Sequence, residues 1–274
     1  MVRLAVAAQS ALQADIGGSP EPKRIAVLIA GGPLANMLVN GLFRHLGPVL
    51  VLKEEPEPKL AIVRRRARLT GWPQALGQAA FGFLQKAIAR RSRRRLAAIW
   101  QRHRLDPELD PAIAVREIGS INSEACREAL RTLDPQVVVV YGTRIIKPAT
   151  LACVRAPFIN YHAGVNPKYR GQNGAYWARS NRDPDHAGVT VHLVDEGVDT
   201  GEVLHQARTE FAAGDNITTY QHCQMATALP LVVRAVEEAL ESRLAPRRVA
   251  LPSRQWFHPT LWGYLHTGLV RGVW

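Results

Sequence analysis

The sequence predicts an α/β domain built on a doubly wound, mostly parallel sheet with helices on both faces. Three observations carry this expectation. Arg24 to Ala30 (RIAVLIA) is a compact apolar run that ends in Gly31-Gly32-Pro33 and passes into a helix-like stretch, Leu34 to Leu46. Gln136 to Tyr141 holds four consecutive valines, a composition suited to a strand buried on both faces, as parallel sheets require. Strand-like and helical patterns then alternate along the chain.

Taken in order, the first element is strand, glycine turn and helix, the opening unit of a doubly wound domain. Pro48 to Leu52 reads as a second strand, the segment 59–104 as helices, and Ala112 to Ile118 as a third strand. Ser123 is placed to cap a helix running to Thr132, which Asp134-Pro135 closes. Phe158 to His162, Gly188 to Asp195 and Glu202 to Phe211 read as further strands, and Thr218 to Arg243 as a long helix kinked at Pro230. The 274 residues suit one large domain with appendages. The expected division is a leader at 1–23, a main domain at 24–245 carrying an inserted basic segment at 59–104, and an aromatic extension at 246–274. The leader superficially resembles a signal peptide, but Gln9, Gln13 and Asp15 interrupt its apolar stretch, so no export signal is expected.

Apolar residues make up 47% and charged residues 21%, which argues against disorder along most of the chain. Cys126, Cys153 and Cys223 are odd in number and form no CxxC pair or Cys/His ligand spacing. Reduced thiols, a cytoplasmic location and no metal site are the expectation.

The net charge of +12 is one local feature. Lys59 to Arg104 holds thirteen Lys/Arg and no Asp or Glu, so the remainder sums to −1. Two clusters, Arg64-Arg65-Arg66 with Arg68 and Arg90-Arg91 with Arg93-Arg94-Arg95, flank an amphipathic stretch containing Trp72, Leu76, Phe81, Phe83, Leu84 and Ile88. Three readings stay open: arginines that simply face water, a site for an anionic membrane surface or a phosphorylated substrate, and, least favoured, nucleic acid.

Two segments carry chemistry. In Phe158-Ile159-Asn160-Tyr161-His162, Asn160 and His162 are two apart at the end of an apolar strand, so both side chains leave on one face. In the second, Val191 to Gly201, Asp199 sits in a glycine-bounded loop after a strand. Loops at the carboxyl ends of parallel strands line the ligand crevice of such a fold, so an amide, an imidazole and a carboxylate can converge there. That trio suits acyl or formyl transfer to an amine. Asn160 and protonated His162 offer hydrogen bonds to a developing oxyanion, His162 can shuttle the proton, and Asp199 can orient the ring. No serine or cysteine stands beside them, which favours direct attack by the amine.

The pattern N-x-H, then P-K-Y-R-G, then G-V-T-V-H-x-V-D-x-G-x-D-T-G resembles the folate-dependent formyltransferase family, whose members include glycinamide ribonucleotide, methionyl-tRNA and sugar N-formyltransferases. The resemblance covers about 24–52 and 112–225 and is strongest over 158–204. It implies the Rossmann-like fold of that family, 10-formyltetrahydrofolate as formyl donor without a metal, and Asn160, His162 and Asp199 as the catalytic residues. It also implies that Thr143-Arg144-Ile145-Ile146 and the loop Val194-Asp195-Glu196-Gly197-Val198 grip the pterin.

Expected substrate contacts are Gly31 and Gly32 after the first strand, the turn Tyr169-Arg170-Gly171, and the aromatic pair Tyr176 and Trp177, for which core packing of a helix is the competing reading. The early loop Gly31 to Asn36 lacks the serine of the purine enzyme and displaces its asparagine, which disfavours glycinamide ribonucleotide. The tRNA enzyme carries a C-terminal barrel for which the segment 246–274 is short. The acceptor expected is therefore the primary amine of a nucleotide-linked amino sugar, with hydroxyornithine-like and aminoacyl amines as alternatives. The densely aromatic segment 255–264 suits either a homodimer contact or packing on the main domain. A rival of another class is a binding module in which the arginine-rich segment meets RNA or an anionic membrane.

Overall fold

The computed structural model describes residues 23–274, so the expected leader lies outside the described residues except for Lys23. The central sheet contains β1 (Ile25–Ile29), β2 (Leu50–Glu54), β3 (Val115–Ile118), β4 (Val137–Tyr141), β5 (Phe158–His162), β7 (Gly188–Leu193) and β8 (Val203–Arg208). Its order is β3-β2-β1-β4-β5-β7-β8. The strands from β3 to β5 are parallel, whereas β7 pairs antiparallel with both β5 and β8. Strand order reverses between β1 and β4, and loops at the carboxyl ends beside such a switch form the crevice of an open α/β sheet.

Alternation along the buried strands explains the layers. Ile25, Val27 and Ile29 of β1 join a core with Met37, Leu38 and Leu42 of α1 (Pro33–Leu46) and with Val232 and Val236 of α8 (Ile217–Leu240). Ala26 and Leu28 face the other way, onto Cys126, Ala129 and Leu130 of α5 (Glu124–Leu133). Each fully buried aliphatic side chain stabilises the fold by about 1.5–3 kcal/mol. The valine run of β4 divides likewise, with Val137 and Val139 in one core and Val138 and Val140 in the other. Ser123 caps α5 by accepting from Cys126 N at 3.3 Å. Pro230 sits inside α8 without ending it.

The basic segment forms α2 (Lys59–Thr70), α3 (Trp72–Arg91) and α4 (Arg93–His103). The extension, for which the sequence assigns no element, supplies β9 (Gln255–Trp256) and α9 (Leu261–Arg271). β9 pairs with the short β6 (Arg170–Gly171). A third, aromatic core gathers Phe81 of α3, Tyr176 of α7 (Gly174–Ser180), Tyr220 of α8 and Tyr264 of α9. A one-turn helix, α6 (Pro148–Leu151), follows the loop after β4. No helix among the described residues is long and apolar enough to cross a membrane.

Candidate active site

β5 places the first two site residues. Ile159 and Tyr161 point into the core shared with α1 and α8, so the alternate positions, Asn160 and His162, leave on the opposite face. The loop after β7 brings Asp199 to them, with its backbone in the left-handed region at φ 53°. His162 Nδ1 lies 3.3 Å from Asp199 Oδ2, and Asn160 Nδ2 donates to Asp199 Oδ1 at 3.3 Å. The three side chains expected to converge do converge. His162 is 6% exposed and Asp199 13%.

Every other contact of the cluster fixes a direction. His162 Nε2 lies 2.7 Å from the Tyr169 carbonyl, which can only accept, so Nε2 carries a proton. Nδ1 is then the ring nitrogen that faces Asp199. Gly171 N donates to Asp199 Oδ2 at 2.9 Å. Burial alone would raise the Asp199 pKa, but the neighbouring charge of His162 and the Gly171 N–H outweigh it, holding the carboxyl well below the usual carboxylate range.

His192 is a fourth member. Its Nδ1 donates to the Leu193 carbonyl at 2.7 Å, leaving Nε2 to accept from Asn160 Nδ2 at 3.1 Å. It therefore sets which way the Asn160 amide faces. The sequence holds this residue in its second motif but gives no reason to single it out. The reason is cross-strand pairing, since Asn160 stands opposite His192 between β5 and β7.

The expected folate loops occupy the carboxyl edge of the sheet. The loop after β4 is held by Glu54, a carboxylate 3% exposed at the end of β2. Its oxygens accept from Arg144 N at 2.7 Å and from Arg144 Nη1 at 3.1 Å. Thr143 Oγ1 turns onto the Arg144 carbonyl, Ile146 is buried in the core, and Ile145 is 61% exposed. In the second loop Asp195 Oδ1 accepts from Gly197 N at 3.0 Å and Thr200 Oγ1 at 2.6 Å, and Val198 O accepts from Arg170 Nη1 at 2.7 Å. Glu196 lies at its exposed outer edge. A cavity of about 520 Å³ adjoins, lined in part by Asn166, Val194, Asp195, Asp199, Arg247 and Arg248.

The expected substrate contacts need correction at three residues. Tyr176 is 1% exposed within the aromatic core and presents no ring to a ligand. Trp177 stacks on Trp256 at 4.9 Å and donates to the Phe257 carbonyl, so packing against the extension takes its face. Tyr169 is 2% exposed and donates its hydroxyl to Asp183, so it serves the site through its carbonyl. Arg170 and Gly171 position the Asp199 loop. Gly171 has φ 91°, and a Cβ there would strike the Trp256 carbonyl, so the close β6–β9 approach requires glycine. Gly31 and Gly32 form the turn after β1, at φ 85° and 94°, leaving the α1 N-terminus without a side-chain cap. The displaced Asn36 is engaged by the Pro107 carbonyl at 2.9 Å.

A family model described as Formyl transferase matches residues 86–236, more than half of the chain. The chain belongs to the formyl transferase family. Among curated relatives, methionyl-tRNA formyltransferase of Chlorobium chlorochromatii (strain CaD3) is 33% identical over 106 residues, covering 39% of this chain and 33% of the relative. The chain thus spans about a third of that relative's length. Glycinamide ribonucleotide transformylase 1 from Symbiobacterium toebii superposes with a TM-score of 0.55 at 18% identity, over 88% of this chain and 96% of the other. The N-formyltransferase from Helicobacter canadensis, solved with folinic acid and dTDP-3-aminofucose, superposes at 0.53 and 13% identity, over 85% of this chain and 70% of the other. At such identities these structures share the formyl transferase fold.

Proposed function

We propose that this chain transfers a formyl group from 10-formyltetrahydrofolate to a primary amine, by direct attack of that amine. The observation that carries the reading is the Asn160, His162 and Asp199 cluster, in a chain of this family. The bound folate would supply the formyl group, with Ile145 and the backbone of the 143–146 and 194–198 loops as its holders.

The lengths of the contacts support a place for the reacting carbon beside Asp199. The firm bonds, 2.7 Å to the Tyr169 carbonyl and 2.7 Å to the Leu193 carbonyl, lie on the outer sides of the two imidazoles. The loose ones, 3.3 to 3.5 Å, all meet at Asp199. A ligand can displace loose contacts at small cost, and such contacts tighten when a reacting group arrives. The formyl oxygen enters beside Asn160 Nδ2, which donates to it as negative charge develops, and His162 Nδ1 is left to take the amine's proton. His162 passes the proton lost by the amine to the departing nitrogen, and Asp199 stabilises the imidazolium between those events.

For the acceptor, the amine of a nucleotide-linked amino sugar is the reading proposed. It is supported by the fold shared with the Helicobacter canadensis enzyme, whose structure holds dTDP-3-aminofucose. The likeness to methionyl-tRNA formyltransferases favours an aminoacyl amine as the second reading. Incubation of the purified chain with 10-formyltetrahydrofolate and a panel of nucleotide amino sugars, aminoacyl compounds and hydroxyornithine, read by mass spectrometry, separates them. Gain of one formyl group on an amino sugar is the expected result. Formyl gain confined to aminoacyl compounds selects the second reading, and none on any amine rejects both.

A further inference from the structure

We propose that the hairpin of α2 and α3 docks on the surface of an anionic phospholipid bilayer. The inference is independent of the transfer chemistry and rests on what this hairpin exposes.

α3 has two faces. Gln78 donates to the His258 carbonyl at 3.0 Å, and Phe81 stacks on Tyr264 of α9 with ring centroids 4.9 Å apart, so that side is turned to the extension. Trp72, Leu76 and Phe83, spaced by four and seven, fall on the other side. They are 57%, 58% and 74% exposed. Leu69, just before the Gly71 turn at the hairpin tip, is 70% exposed, and Leu60 on α2 is 59% exposed. Five large apolar side chains within one hairpin stand in water, an arrangement that marks a surface for something apolar.

The cations around them state what that surface is. Arg64, Arg68, Lys86, Arg90, Arg91, Arg93 and Arg94 are all exposed, and no Asp or Glu occurs from 59 to 104. Arg64, Arg65 and Arg68 line an open groove of about 380 Å³ on α2, with Pro58, Leu60 and Ala61 as its apolar wall. Guanidinium groups beside aliphatic and indole side chains match a phosphate headgroup layer above acyl chains. A polyanion such as RNA would use the arginines and leave the leucines wet. A second copy of this chain would bring two arginine fields together, each with Glu57 already engaged by its own Arg65 at 2.7 Å.

The test is co-sedimentation of the full chain with vesicles of phosphatidylcholine alone or mixed with phosphatidylglycerol. Two variants accompany it, Trp72→Ser/Leu76→Ser/Phe83→Ser and Arg64→Gln/Arg68→Gln, each checked for an unchanged circular dichroism melt. All five side chains are exposed, so folding is expected to survive. The expected result is binding to the anionic vesicles only, lowered about tenfold or more in either variant. A tryptophan blue shift on binding, diminished in Trp72→Phe, is expected with it. Equal binding to neutral and anionic vesicles, or none to either, overturns the proposal. So does a serine variant that binds like wild type while the arginine variant fails, which would mark a polyanion site. Light scattering that shows a wild-type dimer and a monomeric serine variant, with no vesicle binding, overturns it in favour of a contact between copies.

Discussion

Among single residues, Asp199 has the most demanding place. It is nearly buried, left-handed in backbone, and receives His162, Asn160 and the Gly171 N–H at once. Asp199→Asn keeps the shape and removes the charge that stabilises the imidazolium. Formyl transfer in single-turnover experiments is expected to fall by about 10²–10⁴-fold, the usual weight of a general acid–base device, with the thermal melt showing a folded protein. His192→Ala should act more weakly and differently. It frees the Asn160 amide to turn, so single-turnover transfer falls by less than in Asp199→Asn, with the thermal melt again showing a folded protein. A third substitution tests the support beneath the ring. A Cβ on Gly164 would collide with the Tyr169 carbonyl and with His162 Nε2, so Gly164→Ala is expected to lower turnover at least about tenfold by shifting the imidazole.

Elements place these residues, and most of them were readable from the chain. β1, β4 and β5 follow from apolar runs closed by glycine or proline, and α5 from a serine cap. The convergence of Asn160, His162 and Asp199 was legible because two of them share a strand face and the third closes a strand-end loop. The part played by His192 was not, because it depends on β7 lying antiparallel beside β5, and local pattern does not fix which strands pair. Tyr176 and Trp177 were misassigned for a related reason. An aromatic pair reads the same whether it meets a ligand or another segment, and here β9 and α9 come from far along the chain to cover it. The loop after β4 shows how one element holds another. Glu54 of β2 satisfies the backbone of Arg144 and its guanidinium, so Glu54→Ala takes the acceptor from the Arg144 N–H and leaves its half-buried guanidinium with the Gly119 and Glu55 carbonyls. A loss of about 1–3 kcal/mol in urea unfolding is expected, against a smaller loss for Glu54→Gln, which keeps an acceptor. If the loop holds folate, Glu54→Gln should also raise the KM for the donor more than it lowers kcat.

At the scale of the whole molecule, charge and burial together set the response to acid. The described chain buries His222 at 8% exposure, where its Nδ1 accepts from Trp100 Nε1 at 3.0 Å. Burial pushes its pKa down to about 4. His258 is held down to about 4 by burial and by Arg66, with Asn173 Nδ2 at 2.8 Å from its Nδ1. A histidine whose pKa is lowered by folding binds its proton first in the unfolded chain. Its contribution to stability is therefore complete above the ordinary value of 6.5 and is lost as pH falls from there toward 4. For His222 that loss amounts to about 3 kcal/mol. The carboxylates act in a lower window. Asp183, with burial opposed by Lys168 and His186, is held down to about 2, and Asp199 is also depressed, so their contributions stay intact until pH drops below 3.8. Urea midpoints measured from pH 8 to pH 3 are thus expected to be level above 6.5, to decline through 5, and to decline again below 4. His222→Gln, which retains an acceptor for Trp100 and cannot ionise, should make the upper decline shallower, leaving the share of His258, while the lower one stays in place. An unaltered upper decline in that variant would place the acid sensitivity elsewhere.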